Sequence, residues 1–600
     1  MCGIFALLNN YTSIPRNYLY KQFQKGQHRG PENSVMEEVM VKATFGFHRL
    51  AINGIDDSSN QPIRVNNITL ICNGEIYNYK ELYKLMSDVK PQTNSDCEVI
   101  IHLYIKYGIE HTLQMLDGVF AFCLLDNSDC FHKSKLYIAR DPYGVRPIYA
   151  MQSNKDKMDS IYGFSSELKQ LTGICDTLNV QNRNLKNPHK YSIQHFKPGT
   201  YSEFEMLFAS NSSWKCIDNY TYHKPGFTSC INRDIVQSDC IYNIQKYLKL
   251  AVEKRCSTTD RPIACLLSGG LDSSLITTLV NEYHKKNKLP TLETYSIGLE
   301  GAEDLKFART VADYLSTKHT EIIVSEQDYL DAIPYVIQDI ESYDTTTVRA
   351  SIGNWLLGKY ISKNSEAKVI FNGDGSDEVL GGYLYVGHAN NAIEFDKECR
   401  RLLTDIHKFD VLRSDKCISS HGLEPRTPFL DREFVQYYLT IPFELRYHTL
   451  QNNAEKYLLR TAFDEKNILN SNNQPFLPSN VLWRRKEAFS DGVSHQNRSL
   501  YKIIEEYTNK YIEENLYSSY IFRENTENAV LDIVNNHSDF DNINNHLIPQ
   551  TTEQLYYRYI FEKHYNGYGK VVPYFWMPKY VDATDSSART LSIYKNSITL

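Results

Sequence analysis

The apolar residues of the first 200 positions fall into short runs separated by turn-forming residues. CGIFALL (2–8), TFGFHRLAI (44–52), ITLICNGEIY (68–77), GVFAFCLLD (118–126) and KLYIARD (135–141) are rich in Ile, Val, Phe, Leu and Tyr, as strands are. Between them, Val99, Ile100, Leu103 and Tyr107 fall on one face of a helix over 96–107. This pattern predicts antiparallel sheets layered against a few helices, an α+β domain over 2–200. Residues 201–233 show no period and carry Asn, Ser and Lys-Pro-Gly, so they are expected to form a linker. From 234 onward the texture changes. Ile241, Ile244, Leu248 and Val252 lie on one side of a helix, followed by the apolar run PIACLL (262–267), the turn SGGLDSS (268–274) and a second helical stretch. Alternating strand, glycine turn and helix predict an α/β domain over 234–600. Two Asn-rich stretches, 470–473 and 535–546, read as surface insertions, and there is no internal repeat.

Composition narrows the function classes. Six hundred residues exceed one ordinary core, which fits two domains. The net charge of −7 is dispersed and leaves no basic stripe, so nucleic acid is not an expected partner. The longest apolar runs are too short to span a bilayer, and no leader of basic, apolar and small residues opens the chain. A cytoplasmic protein is therefore expected. The thirteen cysteines are scattered, odd in number and without a CxxC pair, which argues against a zinc site or a disulfide framework. Most are expected to be small buried hydrophobes.

Cys2 stands apart. If Met1 is removed, the thiol lies beside its own α-amine, whose pKa of about 7.7–8.0 suits a base near neutrality. Alone this is weak, but MCGIFA (1–6), HRGPE (28–32), FHRLAIN (47–53), NGEIYN (73–78) and SDCEVI (95–100) follow in order. Together they resemble the glutaminase domain of the class II, N-terminal-nucleophile amidotransferases. The resemblance implies Cys2 as nucleophile. It implies a glutamine site of Arg49, Leu50, Ala51, Ile52 and Asn53, with Arg49 on the α-carboxylate and Glu75 and Asp96 at the α-ammonium. The Asn73 amide and the Gly74 N–H would stabilise the oxyanion.

SGGLDSS is the most specific motif. Gly269 and Gly270 let backbone approach a phosphate, and Ser268, Ser273 and Ser274 add donors at a helix N-terminus. No Walker A pattern occurs. The loop resembles the pyrophosphate loop of AMP-forming enzymes. IESYDTTTVRAS (340–351), NGDGSDEVLGGYLY (372–385), PRTPFLD (425–431), RRKEAFSDGV (484–493) and WMPKYVDATDSSARTL (576–591) are similar to the synthetase domain of glutamine-hydrolysing asparagine synthetases. The fold implied is an α+β N-terminal-nucleophile glutaminase domain followed by an α/β pyrophosphate-loop synthetase domain. The activity implied is β-aspartyl-AMP formation from aspartate and ATP, then displacement of AMP by ammonia. Asp272 and Asp377 would bind Mg²⁺, and Lys486 and Arg426 would neutralise phosphate charge. Leu266, Ile297, Asn372 and Gly373 would hold the adenylate.

The chain departs from the family at the most sensitive place. Asn372 and Asp374 stand where the family has Ser and Glu in Ser-Gly-Glu-Gly-Ser-Asp-Glu, and the Glu handles the adenylate and ammonia. A glutaminase or regulatory binding protein with an impaired synthetase site therefore stays open, although SGGLDSS, Asp377 and Lys486 are intact. An enzyme amidating a sugar phosphate would not need SGGLDSS, and a β-lactam-forming relative would have no use for Cys2 or Arg49. The implied partners are glutamine, aspartate and ATP, with a homodimer left open.

Overall fold

The computed structural model describes the chain except residues 130–131, 156–159, 184–188, 209–211, 227–234, 452–453, 496–497, 516–545, 584 and 592–600. The chain divides into two compact units. The first comprises 1–224 with two later segments, 257–262 and 419–424; the second holds the remainder.

Seventeen strands are described: β1 (Gly3–Leu8), β2 (Asn33–Met40), β3 (Ala43–Arg49), β4 (Ile63–Val65), β5 (Ile68–Ile76), β6 (Gly118–Asp126), β7 (Lys133–Arg140), β8 (Tyr149–Ser153), β9 (Tyr162–Ser165), β10 (Tyr191–His195), β11 (Thr200–Leu207), β12 (Lys215–Thr221), β13 (Ile263–Leu266), β14 (Glu293–Gly298), β15 (Lys318–Ile323), β16 (Val369–Phe371) and β17 (Glu424–Arg426). In the first unit, β10-β8-β9-β1-β3-β2 form one sheet and β12-β11-β7-β6-β5-β4 a second. The pairings described in both are antiparallel. Alternation explains why the central strands read as unbroken apolar runs. From β6, Ala121, Cys123 and Leu125 face Ile4, Ala6 and Leu8 of β1 in one core. Phe120, Phe122 and Leu124 face the helix Val99–Met115 in another. On the outside of the first sheet, Phe5 meets Phe23 of the helix Arg16–Gln24, with ring centroids 6.1 Å apart. The unit is thus layered helix, sheet, sheet, helix, as the patterning predicts.

The second unit is built on a five-stranded sheet ordered β15-β14-β13-β16-β17, with β13, β14, β15 and β16 parallel where their pairings are described. Helices Leu271–Lys286 and Glu303–Leu315 follow β13 and β14, the expected strand–turn–helix units. The loops at the carboxyl ends of β13, β14 and β16 therefore gather on one side, where open α/β sheets bind ligands.

Two expectations need correction. The stretch 201–233 is not a linker as far as residue 221: β11 and β12 extend the second sheet of the first unit. Strand β12 lies at the sheet edge with most of its residues exposed, so its polar side chains carry no alternating signal. Tyr107 does not join the apolar face of its helix and is 48% exposed, just before Gly108 interrupts the helix at φ 75°. Asn470–Asn473 form a closed surface turn, in which Asn470 Oδ1 accepts from the N–H groups of Asn472 and Gln474. The second Asn-rich stretch lies outside the described residues, apart from His546.

Candidate functional site

Two constellations emerge, one on each unit. In the first, Cys2 immediately precedes β1, and its thiol donates to the Leu50 carbonyl at 3.5 Å. Burial pushes this thiol's pKa up, and the neighbouring chain-terminal ammonium partly opposes the shift. Met1 is itself buried, its amine donates to the Leu423 carbonyl at 3.3 Å, and burial lowers that amine's pKa to about 5.

Arg49 ends β3 and is 7% exposed. Its guanidinium donates to the carbonyls of Gly54 and Asp56 and to Asn60 Oδ1, so it shapes the loop that follows Leu50, Ala51 and Ile52. The segment 257–262 ties the same loop from the other side. Gly54 N–H donates to Asp260 Oδ2 at 2.9 Å, Asp260 N–H to the Ile52 carbonyl at 2.9 Å, and Asn53 Nδ2 to the Thr258 carbonyl at 3.3 Å. Asn53 also donates to the Glu75 carboxylate. Asp96, 3% exposed, accepts from Ile76 N–H at 2.6 Å.

The oxyanion candidates lie on β5. Asn73 is completely buried, and neither of its amide atoms has a hydrogen-bond partner among the described residues. An idle buried amide costs about 1–3 kcal/mol, which marks it as a group awaiting a ligand. At Gly74 an added Cβ would lie 2.4 Å from the Val119 carbonyl, so only glycine lets β5 pair with β6 there. Of the residues expected at this site, Cys2 touches Leu50 directly and Asn53 touches Glu75.

In the second unit an open cleft of about 1320 Å³, mouth included, is lined by Leu266, Ser268, Gly270, Asp272, Ser273, Ile297, Asn372, Gly373, Asp374, Asp377 and Lys486. Gly269 adopts φ 73° with an added Cβ 2.4 Å from Ala308 N, and a Cβ on Gly373 would stand 2.8 Å from Ser273 N. Gly373 lets the loop after β16 pass closely by the loop after β13, and Gly269 lets the latter pack against helix Glu303–Leu315. Ser268 and Ser273 hydroxyls lie 3.0 Å apart, and Ser268 Oγ also accepts from Gly270 N–H.

The cleft floor is a charge cluster. Lys456 Nζ lies 2.7 Å from Asp272 Oδ2 and 2.6 Å from Asp377 Oδ1, while Lys486 Nζ donates to Asp377 Oδ2 at 2.6 Å. Burial alone would raise the Asp377 pKa, but the two ammonium groups outweigh it and hold the carboxyl well below the usual range. Burial likewise lowers Lys486, and Asp377 and Asp272 more than reverse this, so it stays charged. Lys456 holds φ 57°, a left-handed backbone that costs a non-glycine residue of order 1–3 kcal/mol. The sequence does not single out Lys456, because one lysine in a polar stretch carries no signal.

Asp374 also has an explicit setting. Its Oδ2 accepts from Asn372 Nδ2 at 2.8 Å, and its Oδ1 lies 3.2 Å from Arg413, which also pairs with Asp410. Asn372 reaches Ser414 at 2.8 Å as well. Arg413, Asp410 and Ser414 lie in the stretch 410–414, which the sequence motifs do not include.

Two expected phosphate ligands lie elsewhere. Arg426 is 1% exposed and does not line the cleft. Its guanidinium donates to the Arg255 carbonyl near the end of helix Gln237–Ser257, where a cation complements the helix dipole. Ser274 is fully buried in the first turn of its helix, away from the cleft lining. No cage of three or more His, Cys, Asp or Glu side chains occurs among the described residues. Asp272 and Asp377 are hard oxygen donors that suit a divalent cation sharing its coordination with phosphate oxygens, which is the usual mode for Mg²⁺. The donor set fits such an ion.

A half-buried thiol at the start of β1 and an idle buried amide on β5 in one unit, with a glycine-serine loop by paired carboxylates and lysines in the other, fit a glutamine amidotransferase unit and an ATP-using synthetase unit. Residues 1–221 match the glutamine amidotransferase domain family, and 243–395 and 387–566 match the asparagine synthase family. The chain is 38% identical to the glutamine-hydrolysing asparagine synthetase of Gallus gallus over 616 aligned positions and to that of Homo sapiens over 614, with 100% of each chain covered. It belongs to the family of glutamine-hydrolysing asparagine synthetases. No helix among the described residues is long and apolar enough to cross a membrane.

The floor of the cleft gives a direct test. Removing one partner of a buried ion cluster leaves an uncompensated charge, at a cost of about 3–5 kcal/mol. Lys456→Met should destabilise the second unit by that amount in denaturant melts without added divalent cation. An unchanged midpoint would show that Lys456 does not hold the two carboxylates together.

Proposed function

We propose that this chain makes asparagine from aspartate, ATP and glutamine, releasing AMP, pyrophosphate and glutamate. The observation that carries the reading is the cluster of Asp272, Asp377, Lys456 and Lys486 below the SGGLDSS loop, in a chain that also carries the Cys2 site. In the first unit, the Cys2 thiolate attacks the glutamine amide carbon. The Asn73 amide and the Gly74 N–H receive the oxyanion, ammonia leaves, and water then releases glutamate from the thioester. Arg49 with the loop of Leu50, Ala51, Ile52 and Asn53 receives the α-carboxylate side of glutamine, and Glu75 and Asp96 the ammonium. Cleavage of the Met1–Cys2 bond would free the amine that serves as base.

In the second unit, Ser268, Gly269, Gly270 and Ser273 cradle the β- and γ-phosphates while the aspartate side-chain carboxylate attacks the α-phosphorus. Lys456 and Lys486 neutralise the departing pyrophosphate. Asp272 and Asp377 would hold Mg²⁺, which when bound supplies further charge neutralisation at the phosphates. Leu266, Ile297, Asn372 and Gly373 border the β-aspartyl-AMP, and Asp374 accepts a proton from ammonia as it displaces AMP. We place the enzyme in the cytoplasm and leave a homodimer open. Sedimentation would fix that state.

Amide-labelled glutamine tests the whole scheme: label should appear in asparagine, and its absence with intact glutamine hydrolysis would favour a glutaminase with an impaired synthetase. Cys2→Ala should lower glutamine-dependent synthesis by roughly 10⁴-fold or more while keeping synthesis from ammonium, because only the covalent nucleophile is lost. Near wild-type glutamine hydrolysis by this variant would refute the amidotransferase assignment.

Asp374 is one methylene shorter than the family's Glu, about 1.5 Å of reach. Its carboxylate is nevertheless fixed by Asn372 and by Arg413, so the loop is fitted to Asp. Asp374→Glu should therefore overfill the site and slow asparagine formation from ammonium by about 10²-fold, the typical effect of a 1 Å misplacement. Glutamine hydrolysis should be unchanged. A variant faster than wild type would mean that the natural enzyme is partly impaired at this position.

A further inference from the structure

The segment that carries Lys486 has no regular secondary structure of its own: 484–488 are neither helix nor strand, and the helix that follows, Phe489–Gly492, is a single turn. Its placement must come from side-chain ties. Some reach the sheet side of the cleft, where Arg484 donates to Asp304 Oδ1 at 2.8 Å and stacks its guanidinium 4.0 Å from the centre of the Phe307 ring. Further ties come from the far end of the chain. Arg589 donates through Nε and Nη2 to Glu487 Oε1, at 2.9 and 2.6 Å, and through Nη1 to the His495 carbonyl at 3.0 Å. Ser587 Oγ donates to the Asp491 carboxylate at 2.9 Å. Asp585 receives two bonds from Arg349, at 2.7 and 2.8 Å, and Arg349 also pairs with the buried Glu553.

We propose that Arg589 is a positioning residue for the synthetase step, with 585–590 acting as a strap that holds Glu487 and thereby aims Lys486 at the phosphates. The inference rests on the assignment of Lys486 above. Lys486 and Glu487 are neighbours in the chain, yet one contacts Asp377 on the cleft floor and the other contacts the Arg589 guanidinium. Fixing Glu487, which itself lines the cleft, therefore limits the swing of the backbone on which Lys486 stands. The other Glu487 oxygen lies 3.5 Å from Arg484, so the same carboxylate links the strap to the Asp304 anchor. Arg589 is 9% exposed and Glu487 is 11% exposed at its side chain, which keeps the pair from being screened as a surface pair would be. Arg349 lies on helix Thr345–Asn364, which contributes Thr346, Ala350, Asn354 and Leu357 to the cleft wall. The strap thus joins that wall to the Lys486 segment.

The test uses the full-length chain and ammonia-dependent pyrophosphate release, so the glutaminase reaction serves as an internal control. Arg589→Gln should lower kcat for pyrophosphate release about 10- to 100-fold, with KM for ATP changed less than about threefold and glutamine hydrolysis unchanged. Glu487→Gln should reproduce the kcat loss, and combining the two should add little, because both break one tie. Arg589→Lys should recover part of the activity by keeping the charge. A loss of synthetase and glutaminase activity together, or additive losses in the double variant, would make Arg589 a general structural residue and overturn the inference. If Arg589→Gln is poorly soluble, Glu487→Gln and Ser587→Ala carry the same test. Lys486→Ala separates the two levels. Normal pyrophosphate release by Lys486→Ala would overturn the assignment of Lys486, whereas its loss beside an inert Arg589→Gln would overturn only the strap.

Discussion

The second unit depends on keeping two carboxylates and two ammonium groups together at the floor of its cleft, Lys456 almost wholly buried and the other three partly so. Each charge alone would carry a desolvation penalty of several kcal/mol. Asp272, Asp377, Lys456 and Lys486 offset one another at 2.6–2.7 Å for the closest pairs. Depression of the Asp377 pKa follows from this pairing. The carboxyl stays ionised at neutral pH, and its contribution to stability is lost only as pH falls below the ordinary carboxylate range. The cluster also leaves the two lysines exchangeable. On the proposed reading, a triphosphate entering the cleft would offer them new anions and free the carboxylates for a cation.

The architecture around this cluster places its parts with little redundancy. Parallel strands β13, β14 and β16 bring three loops to one side, and Gly373 and Gly269 let the loop after β13 approach the β16 loop and helix Glu303–Leu315 within distances that any side chain would forbid. The first unit solves a different problem. Two sheets packed face to face hold Cys2 at the start of β1 and Asn73 on β5, and the close-packed cores on either side keep those strands in place. Arg49 serves two ends. It is expected to meet the substrate carboxylate, and its guanidinium already organises the loop that frames it.

Much of this is legible in the sequence, for reasons that vary by residue. Apolar runs such as 118–126 announce strands because both faces of the sheet are buried, and SGGLDSS announces a phosphate loop because the glycines and serines have few other joint uses. Edge strand β12 escapes notice because its exposed, polar residues have no core to report. Arg426 reads as a phosphate ligand from its motif, but charge and motif do not say which way a buried guanidinium turns; the carbonyl at the end of a helix claims it. Lys456 is invisible at that level, since its role arises from a left-handed backbone that turns it between two distant aspartates. The loop at 372–374 is flagged by its departure from the family, while the partners that make sense of it, Arg413 and Ser414, lie some forty residues on.

The discontinuity of the first unit has its own consequence. Thr258, Asp260 and Leu423 belong to that unit, although they are encoded beyond its apparent end near residue 224. Asp260 and Thr258 hold the loop of Ile52, Asn53 and Gly54, and the Leu423 carbonyl receives the first amine. The glutaminase half is therefore not a module that can be lifted out at a single cut. Excised as 1–224, it would keep both sheets and every motif residue but lose the clamps on its substrate loop. Inheritance of the two halves is then tied together: a recombination event that exchanged one for a foreign partner would have to bring along two short strips of the other's gene.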